Sequence, residues 1–202
     1  MENRTTRNTR YMVELALMSA IIVLMAMTPL GYVRTPALSI TLLTIPVAVG
    51  AIILGPKGGA ILGAVFGATS FVQAVSGSGG MTAILFQTNP LGTTFLCFVP
   101  RILEGFLCGS IFLIFKKTKI KKISYYIAGL SCPIFNTVLF MGTLVVLFYQ
   151  TDYIQNLVSS LGAANPLIFI VALVGIQGVI EALVCGILSG TVSLALAKAL
   201  KR

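Results

Sequence analysis

The stretch Gly55–Gly67 reads GPKGGAILGAVFG and lies between two apolar runs, 41–54 before it and 64–75 overlapping its end. Its glycines recur at every fourth position, at 55, 59, 63 and 67. In a soluble helix each would cost about 1 kcal/mol relative to alanine. In lipid the same spacing is useful, because membrane helices associate through close backbone packing and small residues form a smooth stripe. We therefore predict a membrane helix that packs tightly against a neighbour, either within the same bundle or in another protein.

The composition of the chain indicates a membrane protein. Of its 202 residues, 57% are hydrophobic and 9% are charged, and the mean hydropathy is +1.01. A soluble domain carries roughly 25% charged residues. The charges fall in a few short segments, which leaves no room for a separate soluble domain. We predict a single membrane domain over 1–202.

The cysteines all lie in apolar runs, without CxxC spacing and without a histidine anywhere in the chain: Cys97, Cys108, Cys132 and Cys185. Thiols in such surroundings behave as small hydrophobic side chains. The sequence therefore predicts buried, free cysteines, with neither a disulfide nor a metal site.

Apolar runs of about 20 residues, the length that crosses a ~30 Å hydrocarbon core, occur six times. They predict an all-α integral membrane protein with six transmembrane helices, near 11–30, 37–54, 58–76, 91–115, 124–149 and 165–197. The first run follows an arginine-rich start, but it is too long for a signal peptide and has no convincing small-residue cleavage site. We interpret it as an uncleaved span.

The basic residues predict the orientation of these spans, because lysine and arginine accumulate in cytoplasmic loops. With N- and C-termini both cytoplasmic, twelve of the fourteen basic residues lie inside, at 4–10, 57, 116–122 and 198–202. Arg34 falls in an outer loop and Arg101 within the fourth span. Topology therefore explains the net charge of +9, and we predict no nucleic-acid partner.

Polar side chains within the spans are candidates for function, because a membrane interior makes each of them costly. They are Gln73, Arg101, Glu104, Asn136, Gln177 and Glu181. Arg101 lies about 15 Å along its helix from the outer end at Leu91, within reach of an outward-facing cavity. Its guanidinium either pairs with Glu104 three residues on or receives the carboxylate of a ligand.

The other polar groups also leave alternatives open. Glu181 is protonated, paired with Arg101 or in contact with a ligand. Asn136 and Gln177 either link helices by hydrogen bonds or present their amides to a polar solute.

The outer loop between the third and fourth spans reads SGSGGMTAILFQTNPLG over 76–92. Its glycines supply hinge freedom, and its apolar middle is suited to folding over a pocket as a lid. Gln87 and Asn89 would then lie near the mouth. The alternative is a plain surface or re-entrant loop. A second long, almost uncharged loop, 151–166, is predicted near the same mouth.

The chain lacks the residues that several kinds of catalysis and nucleotide binding require. It contains no histidine and no HExxH, GxSxG or Walker-type phosphate-binding loop, so neither an activated nucleophile nor a catalytic metal is indicated. We predict that it is not an enzyme and captures a small solute with partners that supply the energy. Alternatives are a stand-alone secondary carrier, a structural multipass subunit, or an intramembrane enzyme that uses Glu104, Glu181 and Arg101.

Three segments carry a resemblance to a known family: ITLLTIPVAVGAIILGPKGGAILGAVFG (40–67), VPRILEGFLCG (99–109), and VIEALVCGIL (179–188) followed by the basic end ALAKALKR (195–202). They resemble the substrate-binding S component of energy-coupling factor (ECF) vitamin transporters, most closely the pantothenate-type branch. The resemblance implies six helices in the bacterial plasma membrane, with a pocket that opens outside. It implies a transmembrane coupling subunit and two cytoplasmic ATPases as partners, and it matches Ala16 and Ala20 to the family's AxxxA docking motif.

The resemblance favours pantothenate as the substrate, with folate, cobalamin or another small solute as alternatives. Pantothenate carries one carboxylate, hydroxyls and an amide. Arg101 would hold the carboxylate, while Gln73, Asn136 and Gln177 would serve the remaining polar groups. Glu181 fits an anionic ligand when it is protonated or paired with Arg101. We predict no cofactor.

Overall fold

In the computed structural model, residues 4–29, 31–34, 39–118 and 121–200 are described. Their elements, in chain order, are α1 Arg4–Met27, β1 Tyr32–Arg34, β2 Ser39–Thr41, α2 Thr44–Leu54, α3 Pro56–Val75, α4 Met81–Thr88, α5 Pro90–Lys116, α6 Ile123–Phe148, α7 Asp152–Ser160 and α8 Pro166–Ala199. The prediction of an all-α fold is confirmed in that helices dominate the described residues. It needs one correction, because β1 and β2 form a short antiparallel hairpin that pairs Tyr32 with Thr41.

Five helical segments within the described residues are long and apolar enough to cross a membrane: Asn8–Met27, Pro56–Val75, Pro90–Lys116, Ile123–Phe148 and Gln177–Ala199. The predicted second span, 37–54, differs from the others. It is helical only as α2, whose 11 residues measure about 16 Å at 1.5 Å per residue. Pro46 fits the late start, because proline lacks an N–H and is tolerated best in the first turn of a helix.

The glycine stripe of α3 packs against α5 of the same chain. A Cβ added at Gly59 would lie 2.2 Å from the carbonyl oxygen of Gly105, and one at Gly63 would lie 2.0 Å from that of Arg101. At Gly67 the corresponding distance to the oxygen of Cys97 is 2.8 Å. The predicted tight neighbour is therefore a helix of the same bundle. Because Gly63 contacts the backbone of Arg101, this contact also fixes the position of Arg101 along the bundle axis.

Gly55 serves a different purpose from the other glycines of the stripe. Its φ of 83° forms the turn between α2 and α3, a conformation that favours glycine.

The segments rich in basic residues meet at one end of the molecule. Arg10 Nη2 donates a hydrogen bond of 3.3 Å to the carbonyl of Leu200, which joins the start of α1 to the end of α8. At Gly109, near the end of α5, an added Cβ would lie 2.8 Å from Pro56 in the turn between α2 and α3. The hairpin, α4 and α7 lie at the opposite end. The four cysteines are buried and free, as predicted.

Candidate functional site

A cavity of about 470 Å³ lies at the end that carries the hairpin, α4 and α7. Its wall comes from α3, α5, α6 and α8, with contributions from β2, α4 and α7. Its volume falls in the range of small-molecule sites. Its polar lining is Thr41, Ser70, Gln73, Ser78, Thr82, Arg101, Asn136, Thr137, Tyr153, Gln177 and Glu181. Among these described residues Arg101 is the one base and Glu181 the one acid. The structure thus brings together five residues that the sequence singled out: Gln73, Arg101, Asn136, Gln177 and Glu181.

The guanidinium of Arg101 is held between two aromatic rings. Its Cζ lies 5.3 Å from the centroid of the Phe66 ring and 4.4 Å from that of Phe140, which favours the cation through the negative faces of the rings. Arg101 is 7% exposed. A full positive charge is therefore fixed at the cavity wall.

A proline inside α5 provides the backbone anchor for Arg101. Pro100 has no N–H, so the carbonyl of Leu96, four residues earlier, loses its usual helical donor. Arg101 Nη1 donates a hydrogen bond of 2.7 Å to that carbonyl, while its Nε is buried without a partner. Because one donor orients the side chain, the remaining donors are available to a ligand.

Glu104 lies outside the cavity lining. It is fully buried, and neither of its carboxylate oxygens has a hydrogen-bond partner. Within the described part of the chain the one side-chain ion pair joins Arg10 to Glu14, at 3.1 Å. Of the two alternatives for Arg101, the geometry thus gives no support to pairing with Glu104.

Glu181 connects α8 to the hairpin. The backbone N–H of Thr41, at the end of β2, donates a hydrogen bond of 3.2 Å to Glu181 Oε2. One turn further along α8, the Cys185 thiol lies 3.8 Å from the carbonyl of Thr41. The hairpin is therefore fastened to α8 at the cavity wall, and Glu181 has a structural partner in addition to any contact with a ligand.

Replacing Glu181 with alanine is expected to lower the free energy of unfolding by about 1–3 kcal/mol, because it leaves the N–H of Thr41 without an acceptor. Glu181→Gln retains an acceptor oxygen at the same place and is expected to lose less than half as much. Thermal unfolding of both variants in detergent measures the difference. Equal losses in the two variants would show that the hydrogen bond to Thr41 does not fasten the hairpin.

The three amide side chains of the cavity have different surroundings. Asn136 Oδ1 is buried without a hydrogen-bond partner, so an acceptor is free at the wall. Gln73 Nε2 donates a hydrogen bond of 3.2 Å to the carbonyl of Ala26 and links α3 to the end of α1. Gln177 borders the cavity from α8. Their roles toward a ligand stay predictions.

The two loop residues predicted near the mouth lie outside the cavity lining. Gln87 is exposed at the end of α4. Asn89 caps α5, because its Oδ1 accepts a hydrogen bond of 2.9 Å from the N–H of Gly92. The structure gives Asn89 a local task, and binding by either residue stays a prediction.

The predicted lid is folded as the short helix α4. Gly77 and Gly80 before it have φ angles of 79° and 59°. Met81 borders the cavity, and Leu85 is fully buried in a cluster that includes Phe148 of α6. The segment is therefore packed over the site, and its opening as a lid stays a prediction.

Sequence reasoning missed several parts of the site. Phe66 and Phe140, which enclose Arg101, were not distinguishable from other core aromatics. The sequence predicts a helix at Thr41, which instead ends β2. It also predicts a continuous span through Gly175, whereas the φ of 44° and ψ of −143° of this residue interrupt α8 at the cavity. Of the features that hold Arg101, only Pro100 left a signal in the sequence, because a proline inside a helix leaves the carbonyl of Leu96 without its helical donor.

The comparison with known proteins identifies the family of the chain. Residues 10–193 match the family model described as "ECF transporter, substrate-specific component", and the chain belongs to this family. It is a multi-pass protein of the bacterial cell membrane.

Two curated relatives are named for a particular substrate. The chain is 35% identical over 113 residues to the "Pantothenate transporter PanT" of Leuconostoc mesenteroides. The matched region covers 54% of this chain and 53% of the relative. The chain is 33% identical over 119 residues to the "Pantothenic acid transporter PanT" of Lactococcus lactis subsp. cremoris, covering 55% and 59%. The chain thus spans a little over half the length of the curated relatives it matches.

Proposed function

We propose that this chain captures pantothenate from outside the cell and delivers it through the partner subunits of an ECF transporter. The observation that carries the proposal is Arg101, a cation held beside two aromatic rings at the wall of the cavity. The names of the two relatives support the same substrate. Folate and cobalamin are the alternative ligands.

The chemistry of pantothenate matches the polar groups around the cavity. Its carboxylate is paired with Arg101, because a guanidinium presents a planar fork of donors to two oxygens. The free oxygen of Asn136 accepts from a hydroxyl or the amide of the ligand, and Gln177 borders the same cavity from α8 to complete the set. Gln73 contributes the part of its amide that does not bind Ala26.

Six crossings, with both termini in the cytoplasm, agree best with the charge distribution. Arg10 and Leu200 meet at the end rich in basic residues, which is the end that the positive-inside rule places in the cytoplasm. The cavity then opens outside. Helix α2 covers about half of the ~30 Å core, and the hairpin before it, which is hydrogen-bonded to α8 through Thr41 and Glu181, completes this crossing.

The first helix offers the surface for the coupling subunit. Ala16 and Ala20 both lie on its exposed face. They are surrounded by exposed apolar side chains, Met12 at 67%, Leu17 at 58% and Leu24 at 64%. Small residues at this spacing allow a partner helix to approach closely. Two cytoplasmic ATPases supply the energy through that subunit.

Replacing Ala16 with tryptophan is expected to reduce ATP-driven import by at least about 10-fold, because the bulky ring keeps the partner helix away from the small-residue face. Pantothenate affinity is expected to stay as in the wild type, since the cavity is lined by other helices. Val138→Trp is the matched control, because Val138 is 61% exposed on α6. Equal loss of import in both variants, or loss of binding in Ala16→Trp, would contradict the docking role.

Reconstitution into liposomes tests the proposed function. Labelled pantothenate is expected to accumulate when the chain, the coupling subunit and both ATPases are present with ATP on the ATPase side. Omitting any component should abolish accumulation.

The other outcomes identify the alternatives. Accumulation without the ATPases would indicate a stand-alone carrier, and a chemically altered product would indicate an enzyme. Assembly with the partners in the absence of any ligand binding would indicate a structural subunit.

A further inference from the structure

Helix α8 is interrupted at the cavity wall. Gly175 has φ 44° and ψ −143°, far from the helical values near −63° and −42°. Leu173 and Val174 border the cavity before the interruption, and Gln177 and Gly178 border it afterwards. The cavity is thus in contact with the two helix ends that meet at Gly175.

The second half of α8 begins at this interruption and continues to Ala199. The first N–H groups of a helix have no acceptor within it, and they carry the positive end of the helix dipole, about half a unit of charge. In membrane transporters, the N-termini of such half-helices point at anionic groups of the substrate. The interruption therefore places backbone donors beside the cavity.

Arg101 is an independent sign that the same cavity accepts an anion. It is 7% exposed, its Nε has no hydrogen-bond partner, and it lines the cavity from α5. Its full positive charge exceeds the half-unit charges at either helix end. Glu181, the acid of the cavity, accepts a hydrogen bond from the N–H of Thr41, and Arg101 forms no ion pair within the described residues. The site therefore favours an anion at Arg101, even though the last carbonyls of the first half of α8 also lie at the interruption.

We propose that the ligand carboxylate binds between Arg101 and the N–H groups that open the second half of α8, beside Gln177 and Gly178. This rests on the proposed function, and it specifies which end of the ligand meets α8. The site then distinguishes a terminal carboxylate from a neutral group of the same size, because hydrogen bonds to an ionised acceptor are about twice as strong as neutral ones.

Gly175 is suited to a direct test, because an added Cβ would have no heavy atom within 4 Å. A substitution there acts through the backbone angles alone, since a side chain disfavours this φ. Gly175→Ala is expected to shift α8 toward a continuous helix and to withdraw the free N–H groups. Calorimetric titration with pantothenate and with pantothenol, its neutral alcohol analogue, measures the preference for the carboxylate.

The wild-type chain is expected to bind pantothenate more tightly than pantothenol. In Gly175→Ala the affinity for pantothenate should fall by roughly 10- to 100-fold, while that for pantothenol changes much less. Gly162→Ala is the matched control, with φ 62° and no atom within 4 Å of the added Cβ. It should behave as the wild type.

The remaining outcomes separate this inference from the proposed function. If wild type binds pantothenate and Gly175→Ala keeps the wild-type ratio of the two affinities, the helix interruption is not part of the carboxylate site. Equal loss of both ligands would show that Gly175 supports the fold instead, which also overturns the inference. Failure of wild type to bind pantothenate would overturn the proposed substrate and the inference together.

Discussion

Replacing Arg101 with alanine is expected to weaken pantothenate binding by on the order of 100-fold or more. The guanidinium is the one base among the described residues that line the cavity. Its loss leaves the ligand carboxylate in a desolvated site without its main counter-charge. The pantothenate affinity of Arg101→Lys should lie between those of the wild type and Arg101→Ala, because lysine retains the charge and loses the planar fork of donors. Calorimetric titration of the three proteins measures the effect.

Lys116 provides the matched control on the same helix. It is also a cation beside an aromatic ring, with Nζ 5.6 Å from the centroid of Phe112, but it lies at the opposite end of α5. Lys116→Ala is expected to bind pantothenate as the wild type does. Wild-type affinity in Arg101→Ala would rule out the carboxylate clamp.

Replacing Gly63 with alanine is expected to destabilise the chain by about 1–3 kcal/mol, as overpacking of a close contact does. The added Cβ would lie 2.0 Å from the carbonyl oxygen of Arg101. Backbone cannot move away as a flexible side chain can, so α3 and α5 must separate at the level of the cavity. Pantothenate binding should weaken as well, because Arg101 moves with its helix. Thermal unfolding in detergent and titration measure the two effects.

Gly142 in α6 is the control for this substitution, because an added Cβ there has no heavy atom within 4 Å. Gly142→Ala is expected to be neutral or to stabilise the helix by up to about 1 kcal/mol. The two glycine-to-alanine changes thus have opposite expected signs. A neutral Gly63→Ala would contradict the close contact between α3 and α5.

The spacing of the glycines made the packing of α3 predictable, although it did not identify α5 as the partner. The identity of the neighbour depends on how the helices are arranged around one another, which a local pattern does not encode. Five of the polar residues that line the cavity were predictable for a related reason. Isolated polar side chains in apolar spans are few, and burying them away from lipid brings them together.

The pairing of Arg101 with Glu104 shows where spacing misleads. Residues three apart share a helix face only approximately, because three positions advance the helix by about 300° and leave an offset of some 60°. On α5 this offset places Arg101 at the cavity and Glu104 in the protein interior. The spacing of the two residues is compatible with an ion pair, but the packing of α5 places their side chains in different surroundings.

Two features of the backbone, the interruption of α8 at Gly175 and the hairpin before α2, could not be predicted from side-chain periodicity. An apolar run with a glycine is compatible with both a continuous and an interrupted helix, so Gly175 gave no sign of the change in α8. The hairpin before α2 was hidden in the same way, because its apolar residues extended the run of the second span. Pro46 was the signal against a helix from 37, since it limits how far upstream the helix can begin.

Equilibrium titration of the purified wild-type chain with pantothenate, folate, cobalamin, riboflavin and biotin tests pantothenate capture most directly. We expect saturable binding of pantothenate at one site per chain and no comparable binding of the other four. Selective binding of a different vitamin would contradict the proposed substrate, and binding of none of them would contradict vitamin capture at this cavity.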